Sequence, residues 1–242
     1  MSSDTKIWTW QGSLQDHVRF LLNLPFFFVA PLALPPKAVE SIHLSVNSVN
    51  KCPFCTGLHC EIGRMAGLED AIAVNECAKL SDAETNDYGI YSEYGTTFGK
   101  HNGRGEEVES LFNIIATEHG TLEARCAQGI AFFLTWGSMG GNTLISFYRG
   151  TLKCNMREGS NVVFEVIFAL YYSILFAIIT IVSKILSFFP SNVPAIVNII
   201  IGLVLPFVAS FWIIPYALVG ILFSVFLREQ YDPLGGEYMQ IM

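Results

Sequence analysis

A run of thirty-five residues, 193–227, contains no charged side chain, and neither does a second run of eighteen, 166–183. Eighteen helical residues reach about 27 Å at 1.5 Å each, most of a hydrocarbon core of roughly 30 Å. A helix on the surface of a soluble protein keeps a polar face for water. Neither run has one, so both are expected in a membrane. The longer run exceeds one upright span and is interrupted only by Pro194, Pro206 and Pro215. It is either one proline-kinked helix that overhangs the bilayer or a span followed by a re-entrant or interfacial segment. Two transmembrane helices in all are expected.

The rest of the chain differs in kind. Residues 1–158 hold twelve of the fourteen Lys and Arg residues and seventeen of the twenty-one Asp and Glu. This divides the chain into a domain at 1–158 and a membrane anchor at 159–242. The first part is long enough for a core of its own, and a chain ending near Glu158 is expected to fold alone. Hydrophobic residues make up 52% of the chain and charged ones only 14%, a balance that suits this partition. With an acidic excess and no basic patch, nucleic acid is excluded as a partner.

Arg149, Lys153 and Arg157 precede the first apolar run and Arg228 follows the second, while 187–193 is uncharged. Basic flanks stay on the inner side of a membrane, which puts the domain and the C-terminus on the cytosolic, matrix or stromal side. Lys184 dissents, although a lysine near a helix end can snorkel to the interface. Glu165 is expected at the interface. Residues 20–34 imitate the core of a signal peptide, but Asn23, Pro25 and Pro31 interrupt them. They are expected to be buried or to graze the membrane. No targeting address is legible, and the organelle stays open.

Within the domain, chemistry concentrates in Cys52-Pro-Phe-Cys55-Thr-Gly-Leu-His59, with Glu40 twelve positions before the first cysteine. In a helix, Cys52, Cys55 and His59 share one face. Pro53 suits the first turn and Asn50 is the expected N-cap. Cys55 would then lie near the positive end of the helix dipole, where a thiol pKa falls. A c-type haem site requires His directly after the second cysteine, and Thr56 is there. Zinc on Cys52, Cys55 and His59 lacks a second Cys or His pair nearby to complete four ligands. A glutaredoxin motif follows a strand, whereas both flanks here, 36–47 and 61–80, look helical. Two buried structural cysteines remain the plain alternative, against which stand the His and Glu in register with them.

Glu, eleven residues, then Cys-x-x-Cys-x-x-x-His is a pattern in which this chain resembles the carboxymuconolactone decarboxylase family, in its alkylhydroperoxidase D-like branch. Leu34-Pro-Pro-Lys-Ala-Val-Glu40, Val46-Asn-Ser-Val-Asn50 and Arg64-Met-Ala-Gly-Leu68 are similar to the family's surroundings of these residues, as are residues 130–136 and Asn142 in a later helix. The resemblance covers about residues 10–155. Relatives often carry a second His between the cysteines, where this chain has Phe54. The resemblance implies an all-α domain that assembles as a homo-oligomer and a thiol (alkyl)hydroperoxidase or disulfide oxidoreductase. Cys55 would be the attacking thiolate, Cys52 the resolving thiol, and His59 with Glu40 the proton relay. No cofactor and no metal is implied; a hydroperoxide is the substrate and an external dithiol or redox protein the reductant, with membrane lipid close by. The competing expectation is a non-catalytic structural or assembly subunit of a larger respiratory or photosynthetic membrane complex.

The remaining segments also read as helices. Val39, Ile42, Val46 and Val49 form the apolar stripe of the helix that carries Glu40, and His43 lies one turn beyond it as a hydrogen-bonded structural residue. Residues 81–105, rich in Gly, Asn, Asp, Ser and Tyr, predict a long loop or a family-specific insertion. Glu106, Glu107 and Glu109 predict the first turn of another helix. His101 and His119 are expected to be surface or capping residues. Cys60, Cys77, Cys126 and Cys154 are read as small hydrophobes. No strand alternation and no internal repeat is present.

Overall fold

The computed structural model describes residues 6–8, 10–68, 82–152 and 162–226, and all regular structure among them is helical. Eight helices follow in chain order: α1 (Trp10–Ala33), α2 (Pro36–Asn50), α3 (Pro53–Met65), α4 (Asp82–His101), α5 (Glu106–Glu118), α6 (Thr121–Leu152), α7 (Val162–Leu186) and α8 (Ala195–Phe226). The all-α expectation holds for these residues. Cys77, Cys154, Arg157 and Arg228 fall outside them.

Contact of α2 with α4 and antiparallel contact of α1 with α6 build the centre of the bundle. Residues 82–101 are helical, not the loop their composition predicts. The glycines that suggested a loop are contact points. A Cβ on Gly95 would lie 2.8 Å from the Ile42 carbonyl oxygen, and one on Gly99 would lie 3.2 Å from that of Val46. Close packing of α4 on α2 thus outweighs weak helix propensity. Lys6 closes the end of α4, its Nζ donating to the Asn102 side chain at 2.8 Å and to the Gly99 carbonyl.

Two helices, at 163–186 and 195–219, are long and apolar enough to cross a membrane. Pro206 and Pro215 lie inside a continuous α8, so the second apolar run is one helix over its described residues. Each helix uses one face for the bundle. Phe168, Tyr172 and Phe176 of α7 and Ala209 and Ile213 of α8 join the main core with Trp8, Phe20 and Trp136. Within the bundle His17 joins α1, α6 and α7. Its Nδ1 donates to the Ser13 carbonyl at 2.6 Å, and its Nε2 accepts from Trp136 Nε1 at 2.9 Å and pairs with the Tyr172 hydroxyl. Burial lowers this imidazole to about 3, and the ring is neutral. The outer faces, with Ile174, Ile181, Ile200, Phe207 and Phe211, are exposed; only 28% and 22% of the two apolar windows are buried.

The bundle runs beside α7, not beyond one end of it. At the α7–α8 connector Arg64 of α3 donates to the Phe189 carbonyl at 2.7 Å and to the Leu186 carbonyl at 3.0 Å. The Asn192 and Val193 amides donate to the carbonyls of Arg64 and Met65. Lys37 approaches the same corner beside Gly67 and Asn192, and Lys184 lies over the Phe188 ring. Cations therefore gather at the connector. Glu165 is buried in the first turn of α7.

Candidate functional site

The turn between α2 and α3 brings His59 to Glu40 and sets Cys55 beside Cys52 at the start of α3. Lys51 adopts a left-handed conformation (φ 57°) as the α2 cap, which reverses the chain so that α3 folds back along α2. Asn47 fastens the turn: its Oδ1 accepts the Cys52 amide at 3.1 Å and its Nδ2 donates to Thr56 Oγ1 at 2.6 Å. Asn142 of α6 secures it from the side, donating to the Asn50 carbonyl at 2.7 Å. Asn50 is the last residue of α2, not the N-cap of α3. That position belongs to Cys52, whose Sγ accepts the Cys55 amide at 3.5 Å.

Glu40 sits between two imidazoles. Its Oε2 accepts from His59 Nδ1 at 2.9 Å and its Oε1 from His43 Nδ1 at 3.1 Å, all three groups being buried. The two rings lie 4.0 Å apart, centroid to centroid. Burial alone would raise the Glu40 carboxyl, but the two histidines hold it down at about 2. Burial, then the adjacent His59, lowers His43 to about 4 despite the pull of Glu40. An ionised carboxylate can only accept, so both Nδ1 atoms carry hydrogen. One carboxylate thus orients two bases. His43, expected as a structural histidine, is an equal partner of His59.

The thiols occupy a tight niche against α6. Cys52 is fully buried and Cys55 is 6% exposed; both are free thiols. A Cβ on Gly141 would fall 2.6 Å from Cys52 Sγ, and one on Gly137 would fall 3.7 Å from Cys55 Sγ. The glycines thus make room for the sulfurs. The lowered thiol pKa expected for Cys55 is not what the environment imposes. The hydrogen bond with Cys52, followed by burial, pushes the Cys55 thiol well above its ordinary value. Cys126 is likewise buried, and Cys60 packs beside Leu44 and Leu68.

Beside the histidines lies a narrow cavity of about 40 Å³ between α1, α2, α3, α6 and α8, lined by Glu40, His43, His59, Phe133, Asn198 and Leu205 among others. It ends at His59 and does not reach Cys55, one helical turn away. Sequence reasoning missed Phe133 and Asn198, which come from helices remote in the chain. Glu40, His43 and His59 also offer three ligand atoms within 4.8 Å of one another. His101 pairs with Glu107 at the surface, and His119 caps α5.

Comparison with protein-family models, curated proteins and solved structures found no match to the chain. The likeness to the alkylhydroperoxidase D branch therefore rests on the motif and its sequence surroundings alone.

Proposed function

We propose that the chain is a membrane-associated thiol oxidoreductase of alkylhydroperoxidase D type. The observation that carries this is Glu40 holding His59 by Nδ1 at 2.9 Å, one helical turn from Cys55. With Nδ1 turned to Glu40, Nε2 is the ring position left to accept a proton. Because the Cys55 thiol is held protonated, it requires such a base to become a nucleophile. Cys55 sulfur then attacks the outer oxygen of a hydroperoxide. An S–O bond forms as the O–O bond breaks, and the departing alkoxide takes the proton removed from the thiol, leaving as alcohol. Cys52 condenses with the resulting sulfenic acid, releasing water and forming a disulfide, which an external dithiol reduces.

The test is hydroperoxide consumption by the full chain in mild detergent with excess dithiol, for the parent and for Cys55→Ser. Loss of turnover in the variant supports the assignment; equal rates sink it. After mild peroxide, mass spectrometry should find Cys52 joined to Cys55. A link from either to Cys126 would contradict the resolving role of Cys52.

A second reading is favoured by the exposed apolar faces of α7 and α8, which fit lipid or the helices of partner subunits equally well. Purification as a stoichiometric part of a large assembly, without peroxide turnover, would establish that role instead.

A further inference from the structure

Two buried polar atoms on the wall of one cavity have no partner: His43 Nε2 and Asn198 Oδ1. Their chemistry follows from what the rest of each side chain does. His43 gives its Nδ1 hydrogen to Glu40, so Nε2 of the neutral ring is a bare lone pair. Asn198 donates Nδ2 to the Met65 carbonyl at 3.3 Å, which fixes its oxygen at the other end. Both are acceptors, and buried acceptors call for a donor.

The remaining wall is apolar except for Glu40 and His59, which satisfy each other. Phe27, Ala30 and Ile130 close the inner end, while Val39, Ile199 and Leu205 are half-buried toward the rim. From that rim the surface continues along α8 through Ile196, Ile200 and Val204, all exposed. The shape asks for a hydrocarbon chain ending in an O–H group. A carbonyl, ether or carboxylate head would set acceptor against acceptor, and a carboxylate would also meet Glu40.

We propose that this cavity binds an aliphatic chain ending in an O–H group, its O–H donated to His43 Nε2 and its chain running out beside α8 to the membrane-competent surface. This preference for an O–H head on an aliphatic chain is independent of the thiol function proposed above. The head would lie against His59, short of Cys55, which does not line the cavity. Asn198 Oδ1 serves as the second acceptor that disfavours heads lacking a donor.

Binding can be read without any turnover, using dodecan-1-ol as the stable stand-in and its methyl ether as the donorless control. The full chain carrying Cys55→Ser, in detergent, is dialysed to equilibrium with each labelled ligand against protein-free micelles. Saturable binding of the alcohol, about tenfold tighter than of the ether, is expected. His43→Leu should reduce that preference to about twofold, and Leu205→Trp should abolish binding by filling the rim while leaving both acceptors in place. Equal binding of alcohol and ether, or alcohol binding insensitive to Leu205→Trp, would overturn the proposal. Alcohol binding without peroxide turnover by the parent upholds the cavity and rejects the thiol function. Turnover without a preference for the alcohol does the reverse.

Discussion

Gly141 and Cys52 meet so closely that a methyl group on the glycine would lie 2.6 Å from the cysteine sulfur. The niche of the resolving thiol is therefore moulded by an absent side chain on α6. Gly137, one turn earlier, stands in ordinary van der Waals range of Cys55, at 3.7 Å. The two glycines should answer differently to the same substitution.

Gly137→Ala gains helix propensity, worth up to about 1 kcal/mol, without a clash, and should leave stability equal or higher. Gly141→Ala gains the same propensity but must move a buried sulfur in a packed core, at a cost of about 1–3 kcal/mol. Thermal unfolding in detergent under reducing conditions should show a lower midpoint for Gly141→Ala alone. Equal midpoints for both variants would contradict the packing described for Cys52.

Acid should weaken the fold in a defined window. His43 is lowered to about 4 and His17 to about 3 from an ordinary 6.5. Unfolded chains therefore bind these protons first as pH falls. Stability is fully present above about pH 6.5 and declines from there through about pH 4. Glu40, lowered from 4.5 to about 2, has the same sign at lower pH: its contribution is present above 4.5 and lost toward 2. The unfolding midpoint should be level from pH 8 to 7 and fall steadily from 6.5 to 5. A profile that stays flat down to pH 5 would show that these imidazoles are not buried as neutral bases.

Removing charge from Glu40 tests the shared carboxylate. Glutamine presents one acceptor and one donor to two Nδ1–H groups, so one imidazole must turn or change tautomer. Glu40→Gln should lose about 1–3 kcal/mol of stability and slow Cys55 oxidation, since His59 loses its orientation. Alkylation of Cys55 followed against pH separates the effects: a structural role alone would leave the midpoint of that profile in place.

The motif was legible because its members lie on two consecutive helices joined by one turn, so spacing of twelve, three and four residues translates directly into proximity. His43 belongs to the same stretch, but hydrogen bonding to Glu40 was compatible with a structural role, and only the shared carboxylate with its open Nε2 distinguishes the two. Asn198 and Gly141 had no local signal, and Phe133 had only the family likeness of residues 130–136, because tertiary packing alone brings α6 and α8 to the site. At residues 82–101 composition misled: Gly95 and Gly99 resemble breakers in isolation and are contact points against α2. Charge counting on the flanks of the apolar runs passed over Lys37 and Arg64, which only folding brings to the connector.

Arg64 gives that connector a measurable property. Its two hydrogen bonds to the carbonyls of Leu186 and Phe189 involve a charged donor and are only partly shielded from water, so a contribution of about 1–2 kcal/mol is reasonable. Arg64→Met should raise hydrogen exchange at the Asn192 and Val193 amides, which bond to the same end of α3, and leave exchange in α6 unchanged. Unaltered protection at 192 and 193 would mean that backbone pairing alone holds the hairpin to α3.

The partition at residue 158 makes the sharpest test of how the halves depend on each other. Charge divides the chain there, yet packing does not. Trp8 meets Phe168 edge to face at 5.6 Å, His17 pairs with Tyr172, and Phe54 lies 5.0 Å from Phe176. A chain ending at Glu158 would expose Trp8 and His17 and uncover the niche of Cys52, since Phe176 also borders Gly141. Burying such side chains contributes about 1.5–3 kcal/mol each, comparable in sum with the whole stability of a domain. The truncated chain should therefore aggregate or unfold under reducing conditions, with Cys52 alkylated far faster than in the full chain. A soluble, helical fragment whose Cys52 stays protected would show that α7 and α8 are an anchor laid against a finished fold.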